Sequence, residues 1–244
     1  MNTQEFMKAI FHQTEENGKL EEYKNGLPIG MEENGKILLA QTREKAMTVK
    51  NTCVTGADRT DFIRRMLVTL SCLYETGQAC YFILSPRAEY GELLRLRAAD
   101  VTAPYVRSKE DLDRAMETLR ELMRLRATGG GHPHLFLVLD GLDELPDVSD
   151  NGELNEYRVF NEFLSHKEGV DIITGVDLGK SIFAGYPGAF LGIGNCLVTT
   201  KESGKADVTY VTDDSSLSLP LPMSYPCEPT VMDSIVLLNT LTLN

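Results

Sequence analysis

The sequence predicts an α/β domain built on a mostly parallel sheet, and two observations favour this fold class. The first is a run of five apolar residues, 135–139, that ends in Asp140. A short apolar run bounded by Gly and polar residues is typical of a strand buried on both faces. The second is the alternation of such runs with helical patterns, of which the clearest covers residues 109–127. Strands that alternate with helices predict a parallel sheet covered by helices.

The composition supports a packed domain. The chain has 244 residues, of which 42% are hydrophobic and 25% are charged, as is typical of a globular protein. We predict a single domain over 1–244, with an N-terminal helix and lead-in over 1–35, a core over 36–212 and a C-terminal extension over 213–244.

Charge and cysteine usage narrow the function classes. The net charge of −12 weighs against DNA binding, because neutralisation of phosphates dominates nucleic-acid affinity. The five cysteines are scattered and lack a C-x-x-C pair, which predicts buried free thiols in a reducing cytoplasm. We expect no signal peptide and no membrane span, since no apolar run approaches the ~20 residues that a spanning helix needs.

The elements before the central strand follow from local patterns. Residues 2–16 suit a short helix, and the glycine-rich stretch 15–36 suits loops and a hairpin. Further along we predict a strand at 37–40, a strand at 47–56, a helix at 60–75, a strand at 79–85 and a short extended segment at 101–106.

The C-terminal part of the sequence is irregular. A strand is predicted at 170–174, followed by strands at 195–200 and 207–212 that a turn at 201–205 connects. Residues 213–230 are rich in Ser and Pro, and we expect them to run extended along the surface. The mostly apolar residues 230–243 suit a final helix or strand, which packs on the core or contacts another subunit.

Asp140 is the first candidate for chemistry. An apolar strand that ends in Asp, with further carboxylates close by, is the Walker B pattern, and here Asp143 and Glu144 follow. At the carboxyl end of a parallel strand such carboxylates can bind Mg²⁺ or orient an attacking water. The alternative is a buried strand followed by an acidic, solvated turn.

A candidate phosphate loop joins the strand at 47–56 to the next helix. The expected pattern is G-x-x-x-x-G-K-[ST], but the sequence from Gly56 to Asp61 reads GADRTD. It lacks the second Gly and the Lys, while Asp58 and Asp61 place like charge where phosphates would bind. Gly56, Arg59 and Thr60 are the candidate nucleotide-binding residues. Locally, an ordinary strand–turn–helix connection capped by Asp58 or Thr60 is favoured.

Two other patterns are weaker. Gly175-Val-Asp-Leu-Gly-Lys-Ser181 has one residue too few between its glycines and follows the Walker B strand, so we reject it as a phosphate loop. His132 and His134 suit a metal pair, but no third ligand is evident nearby.

The order of these pieces resembles the FtsK/SpoIIIE motor domains and their relatives in type VII secretion, from about Leu27 to Leu221. The matching segments are Leu27-Pro-Ile-Gly, Cys53-Val-Thr-Gly56, Ser85-Pro-Arg-Ala-Glu-Tyr90, Val106-Arg-Ser-Lys-Glu-Asp-Leu112 and Leu135 to Leu145. The resemblance implies a RecA-like P-loop NTPase fold with a mostly parallel central sheet flanked by helices. It also implies Mg-ATP as a possible cofactor, with Asp140 as the Mg²⁺ ligand.

The departures from that family concern the chemistry. The phosphate-loop Lys and the family's A-T-Q sensor are absent, and the acidic pair is displaced to Asp143 and Glu144. Loss of the Lys removes charge that compensates the β- and γ-phosphates. Three hypotheses follow. The first is a degenerate, non-hydrolysing module that binds a protein partner, assembles with itself in a ring or regulates an active motor. The second is an active ATP-dependent DNA translocase with an unusual phosphate loop, and the third is a nucleotide-free adaptor in secretion that is unrelated to DNA.

Overall fold

The computed structural model describes residues 1–18, 20–40, 50–97, 99–128, 131–145, 169–177, 196–211, 217–227, 230–233 and 235–236. No helix in these ranges is long and apolar enough to cross a membrane. The strands are β1 (Pro28–Met31), β2 (Ile37–Leu39), β3 (Lys50–Thr55), β4 (Ala79–Leu84), β5 (Asp100–Thr102), β6 (His134–Asp140), β7 (Val170–Gly175), β8 (Cys196–Lys201), β9 (Lys205–Tyr210) and β10 (Leu221–Ser224).

Within the described ranges, the helices lie mainly before residue 129. They are α1 (Thr3–Asn17), α2 (Leu20–Gly26), α3 (Arg59–Ser71) and α4 (Lys109–Thr128), with 3-10 helices at Ala88–Arg95 and Leu142–Glu144. The start of α4 is capped by Ser108, whose hydroxyl accepts a hydrogen bond from the Asp111 N–H at 3.2 Å.

One sheet contains all the described strands, in the order β2-β1-β10-β9-β8-β3-β7-β6-β4-β5. From β8 to β5 neighbouring strands are parallel, whereas from β8 through β9, β10 and β1 to β2 they are antiparallel. The parallel half confirms the predicted fold class, and it brings the carboxyl ends of β3, β7, β6 and β4 to one edge.

Helices cover both faces of the parallel half. Side chains alternate across a strand, so Phe136 and Val138 of β6 pack on the α3 side, whereas Leu135, Leu137 and Leu139 pack on the α4 side. Both sets are buried. This explains why β6 reads as a continuous apolar run rather than an alternating one.

The structure differs from the sequence prediction at two elements. Residues 20–26 form the short helix α2 instead of a loop. The second difference is β10, which is not an unpaired extended segment but a strand of the sheet: it pairs with β9 and contacts β1 at the register pair Met31–Ser224. Met223 and Tyr225 are buried as a result.

Other sequence predictions are confirmed only in part, or concern residues that the structure does not describe. Cys53 and Cys196 are buried free thiols as predicted, but Cys227 is exposed. Three segments lie outside the described residues: 47–49 of the strand predicted at 47–56, 178–181 of the rejected phosphate loop and most of 230–243.

Candidate functional site

Asp140 lies at the centre of the carboxyl edge of the parallel strands. It ends β6, its side chain is fully buried, and its register partner on β7 is Gly175. A Cβ at position 175 would overlap Asp140 Oδ1 and come within 2.9 Å of Ile63 Cδ1. Gly175 therefore provides the space for the carboxylate, and this packing role explains the glycine.

Both oxygens of Asp140 accept hydrogen bonds. Arg59 Nε donates to Oδ1 at 3.1 Å, Thr60 Oγ1 donates to Oδ2 at 2.6 Å, and Tyr90 OH donates to Oδ2 at 3.0 Å. Hydrogen bonds to an ionised carboxylate are stronger than neutral ones. One guanidinium and two hydroxyl groups thus donate hydrogen bonds to the buried carboxylate.

Glu144 joins the same group of charges. It accepts hydrogen bonds from Arg59 Nη2 at 2.8 Å and from Arg87 Nη2 at 2.5 Å, and Arg87 Nε lies 3.5 Å from Asp140 Oδ2. The chain turns from β6 into the 3-10 helix Leu142–Glu144 at Gly141, whose positive φ of 74° favours glycine. We call Arg59, Arg87, Asp140 and Glu144 the arginine–carboxylate cluster. Two cations and two anions make it neutral.

The loop before α3 is shaped by contact with β8. Gly56 has a φ of 104°, and a Cβ there would lie 2.5 Å from the carbonyl oxygen of Thr200. Thr200 Oγ1 in turn donates to the carbonyl of Thr55 at 2.9 Å. Helix α3 then starts at Arg59 with Asp58 as its N-cap residue, whose side chain makes no capping hydrogen bond. The predicted capping role of Thr60 is wrong, because Thr60 lies inside the helix and its hydroxyl donates to Asp140.

A cleft of about 500 Å³ opens beside this loop. Its lining residues are Thr55, Gly56, Ala57, Asp58, Arg59, Thr60, Asp61, Arg64, Arg87, Glu89 and Asp177. Asp61 accepts a hydrogen bond from Arg65 at 2.6 Å, while Arg64 pairs with both Asp61 and Glu92. The cleft therefore contains the predicted phosphate-loop residues together with several carboxylates.

Comparison with known proteins identifies the fold. No family model and no curated protein matches the chain. A solved structure described as an ATPase aligns with a TM-score of 0.58 at 14% identity, over 86% of this chain and 94% of that one. The cytoplasmic domain of EssC aligns with a TM-score of 0.55 at 12% identity, over 89% of this chain and 49% of that one.

A third structure is the cytoplasmic domain of the type VII secretion ATPase EccC from Thermomonospora curvata. It aligns with a TM-score of 0.53 at 17% identity, over 88% of this chain. This chain has the fold of a P-loop ATPase domain. The fold that the FtsK/SpoIIIE resemblance implied is thereby confirmed. The chain spans about a third of the EccC structure and about half of the EssC structure.

The P-loop fold implies Mg-ATP, and the residues present fit this ligand poorly. Mg²⁺ requires near-octahedral oxygen coordination and keeps several waters, but Asp140 is fully buried and both of its oxygens accept from protein donors. No Lys follows Gly56 in the loop, and Asp58 and Asp61 line the cleft.

The structure brings most of the predicted site residues together. Gly56, Arg59 and Thr60 line the cleft, and Arg59 contacts both Asp140 and Glu144. The side chain of Asp143 lies outside the described residues.

Sequence reasoning assigned no role at the site to Arg87 and Tyr90. Burial, and then the neighbouring Asp140 carboxylate, raise the pKa of Tyr90 well above its usual range, so this phenol stays protonated and donates. A signal for both residues existed. They follow β4, which is adjacent to β6, and parallel strands end at the same edge.

The two histidines lie at the opposite end of the parallel strands from Asp140, where β6 begins. His134 Nε2 is 2.6 Å from Oδ2 of the buried Asp171. Among the described residues, no group of three His, Cys, Asp or Glu side chains could bind a metal ion. His134 is thus part of the packing between β6 and β7.

Proposed function

We propose that this chain is a degenerate P-loop domain that does not hydrolyse ATP and acts as a protein-interaction or regulatory module of a motor or secretion assembly. The observation that carries the proposal is the arginine–carboxylate cluster. Arg59 and Arg87 bind the carboxylates of Asp140 and Glu144, which are the groups that a catalytic Mg²⁺ would need.

The energy of this arrangement opposes metal binding. For a cation to bind Asp140, the Asp140 carboxylate must first separate from Arg59, whose side chain is 8% exposed. Breaking a buried ion pair typically costs about 3–5 kcal/mol, which corresponds to a loss of roughly two to four orders of magnitude in affinity.

The loop adds a second obstacle. A phosphate loop stabilises anionic oxygens with backbone N–H groups and a Lys. Here Arg59 is committed to the carboxylates, and the carboxylates of Asp58 and Asp61 line the cleft. Like charge at an anion site disfavours the bound anion. Both obstacles support a domain that keeps the fold without the nucleotide chemistry.

The interaction role rests on the structural neighbours. EccC is described as a type VII secretion ATPase, and this chain spans only part of the EccC and EssC structures. A domain of this size in those proteins belongs to a larger chain. We therefore propose contact with a protein partner or self-assembly, in the cytoplasm, as the function that the fold retains.

The test is calorimetric titration of the chain with Mg·ATP and Mg·ADP at moderate salt. We expect no binding up to about 1 mM nucleotide, which corresponds to a binding free energy weaker than roughly 4 kcal/mol. Micromolar binding that Asp140→Asn abolishes would overturn the proposal. Arg124→Gln serves as the matched control, because it changes an exposed ion pair of α4 and does not line the cleft.

One contact favours an active ATPase as the alternative. Thr60 Oγ1 lies 2.6 Å from Asp140 Oδ2, and in a P-loop the Ser/Thr hydroxyl and the Walker B Asp both bind the Mg²⁺ region. On that hypothesis, nucleotide displaces Arg59 towards the phosphates. DNA-stimulated phosphate release from the wild-type chain, absent from Thr60→Val, would support it.

A further inference from the structure

A second cavity lies behind the arginine–carboxylate cluster, on the β5 side of the sheet. It has a volume of about 150 Å³ and is bounded by Ile83, Ser85, Arg87, Ala88, Tyr90, Gly91, Ala103, Pro104 and Tyr105. We call it the Tyr105 pocket. A cavity of this volume with apolar walls can hold a benzene ring, so its size suits one large apolar side chain.

The walls of the Tyr105 pocket are held by the sheet. Tyr105 forms a parallel β-bridge with Ser85, and Val106 N–H donates to the carbonyl of Ser85 at 3.2 Å. The Ser85 hydroxyl accepts from the Arg87 N–H at 3.1 Å. Ile83 and Tyr90 are buried beneath the opening. The pocket is therefore built before any ligand enters, which reduces the entropic cost of binding.

A cation lies next to the pocket although the chain is acidic. The Arg107 guanidinium lies 4.2 Å from the centroid of the Tyr105 ring, whereas Arg87 in the pocket lining is already paired with Glu144. The carboxylates of the Ala88–Arg95 helix are directed to the other side, since Glu89 lines the cleft and Glu92 pairs with Arg64. A complementary partner is therefore anionic next to its apolar group.

We infer that the Tyr105 pocket binds a protein partner through one large apolar side chain, with an adjacent carboxylate that pairs with Arg107. This inference rests on the proposed function and supplies the chemistry of the partner. Exposed Tyr105 and its stacked Arg are residue types that dominate binding energy at interfaces. Because Arg87 and Tyr90 also hold Glu144 and Asp140, the pocket shares residues with the cluster.

The experiment is selection of peptides from a random 12-residue phage-displayed library on the full chain. Gly91→Leu adds a large side chain at one wall of the pocket, where a Cβ meets open space. Ala103→Leu fills it from the other wall. Arg107→Gln removes the charge, and Leu94→Ser changes an exposed apolar residue that does not line the pocket.

We expect the enriched peptides to share a large apolar residue within two positions of Asp or Glu. By calorimetry, they should bind at least tenfold more weakly to both filled variants and about three- to tenfold more weakly to Arg107→Gln, and equally to Leu94→Ser. Absence of enrichment, or equal binding to both filled variants, would overturn the inference. The nucleotide titration addresses a different cleft, so nucleotide binding would refute the proposed function and leave these peptide results interpretable.

Discussion

A buried charge needs a partner, and at Asp140 the main partner is Arg59. We expect Arg59→Met to lower the free energy of unfolding by about 3–5 kcal/mol, because the carboxylate would stay buried without its cation. Arg87→Met should cost only about 1 kcal/mol, since Arg87 contacts Asp140 at longer range and is 27% exposed. Urea denaturation measures both.

The control for these two variants is Arg124→Met, which breaks an exposed pair with Glu121. Exposed pairs contribute little, so we expect a change within about 0.5 kcal/mol. Equal losses for Arg59→Met and Arg124→Met would show that Arg59 does not compensate Asp140.

The space for Asp140 can be tested separately from its charge. Gly175→Ala should destabilise the chain by about 1–3 kcal/mol, because the added Cβ would overlap Asp140 Oδ1. Gly91→Ala is the matched control, since its Cβ meets open space, and it should be neutral or stabilising by up to about 1 kcal/mol. The measurement is thermal unfolding of both variants. An unchanged unfolding midpoint for Gly175→Ala would contradict the role of Gly175 in making space for Asp140.

At the scale of elements, the C-terminal extension contributes a strand to the sheet. Met223 of β10 is 4% exposed, whereas Leu219 just before the strand is 85% exposed. We expect Met223→Ala to cost about 2–5 kcal/mol through loss of packing, and Leu219→Ala to stay within about 0.5 kcal/mol. Chemical denaturation of both variants is the measurement. A small effect of Met223→Ala would mean that β10 is not part of the cooperative unit.

Local pattern predicts the parallel half of the sheet well. The continuous apolar run of β6 and the helical periodicity of α4 are both strong local signals, because the residues that form each element also bury it. The strand β10 is not evident from the sequence. Pro220 and Pro222 suppress a strand pattern, and its pairing depends on β9 and β1, of which β1 lies far away in sequence.

The candidate site is predictable in part for the same reason. Asp140, Gly56 and Thr60 follow strands in recognisable patterns, so their proximity could be expected. The bonds from Arg59 to Asp140 and Glu144, in place of phosphate, depend on the tertiary geometry. No local pattern distinguishes these two uses of an arginine at the start of a helix.

At the scale of the whole molecule, the arginines are concentrated but largely neutralised. Residues 59–126 contain most of the chain's arginines. Those that pair with carboxylates in the described ranges include Arg59, Arg64, Arg65, Arg87, Arg114 and Arg124. A cation that is already paired releases less free energy on contact with phosphate, because its existing partner must be displaced.

This neutralisation predicts the outcome of a DNA-binding measurement. With a net charge of −12, we expect no binding to a duplex of about 30 base pairs at about 0.15 M salt and protein concentrations up to about 100 μM, by fluorescence anisotropy. Non-specific DNA binders have dissociation constants of roughly 10⁻⁴–10⁻⁶ M under such conditions. Micromolar binding that weakens steeply with salt would reveal a basic surface and favour the translocase hypothesis. Absence of DNA binding, together with peptide capture at the Tyr105 pocket, would favour protein contacts as the function of this domain.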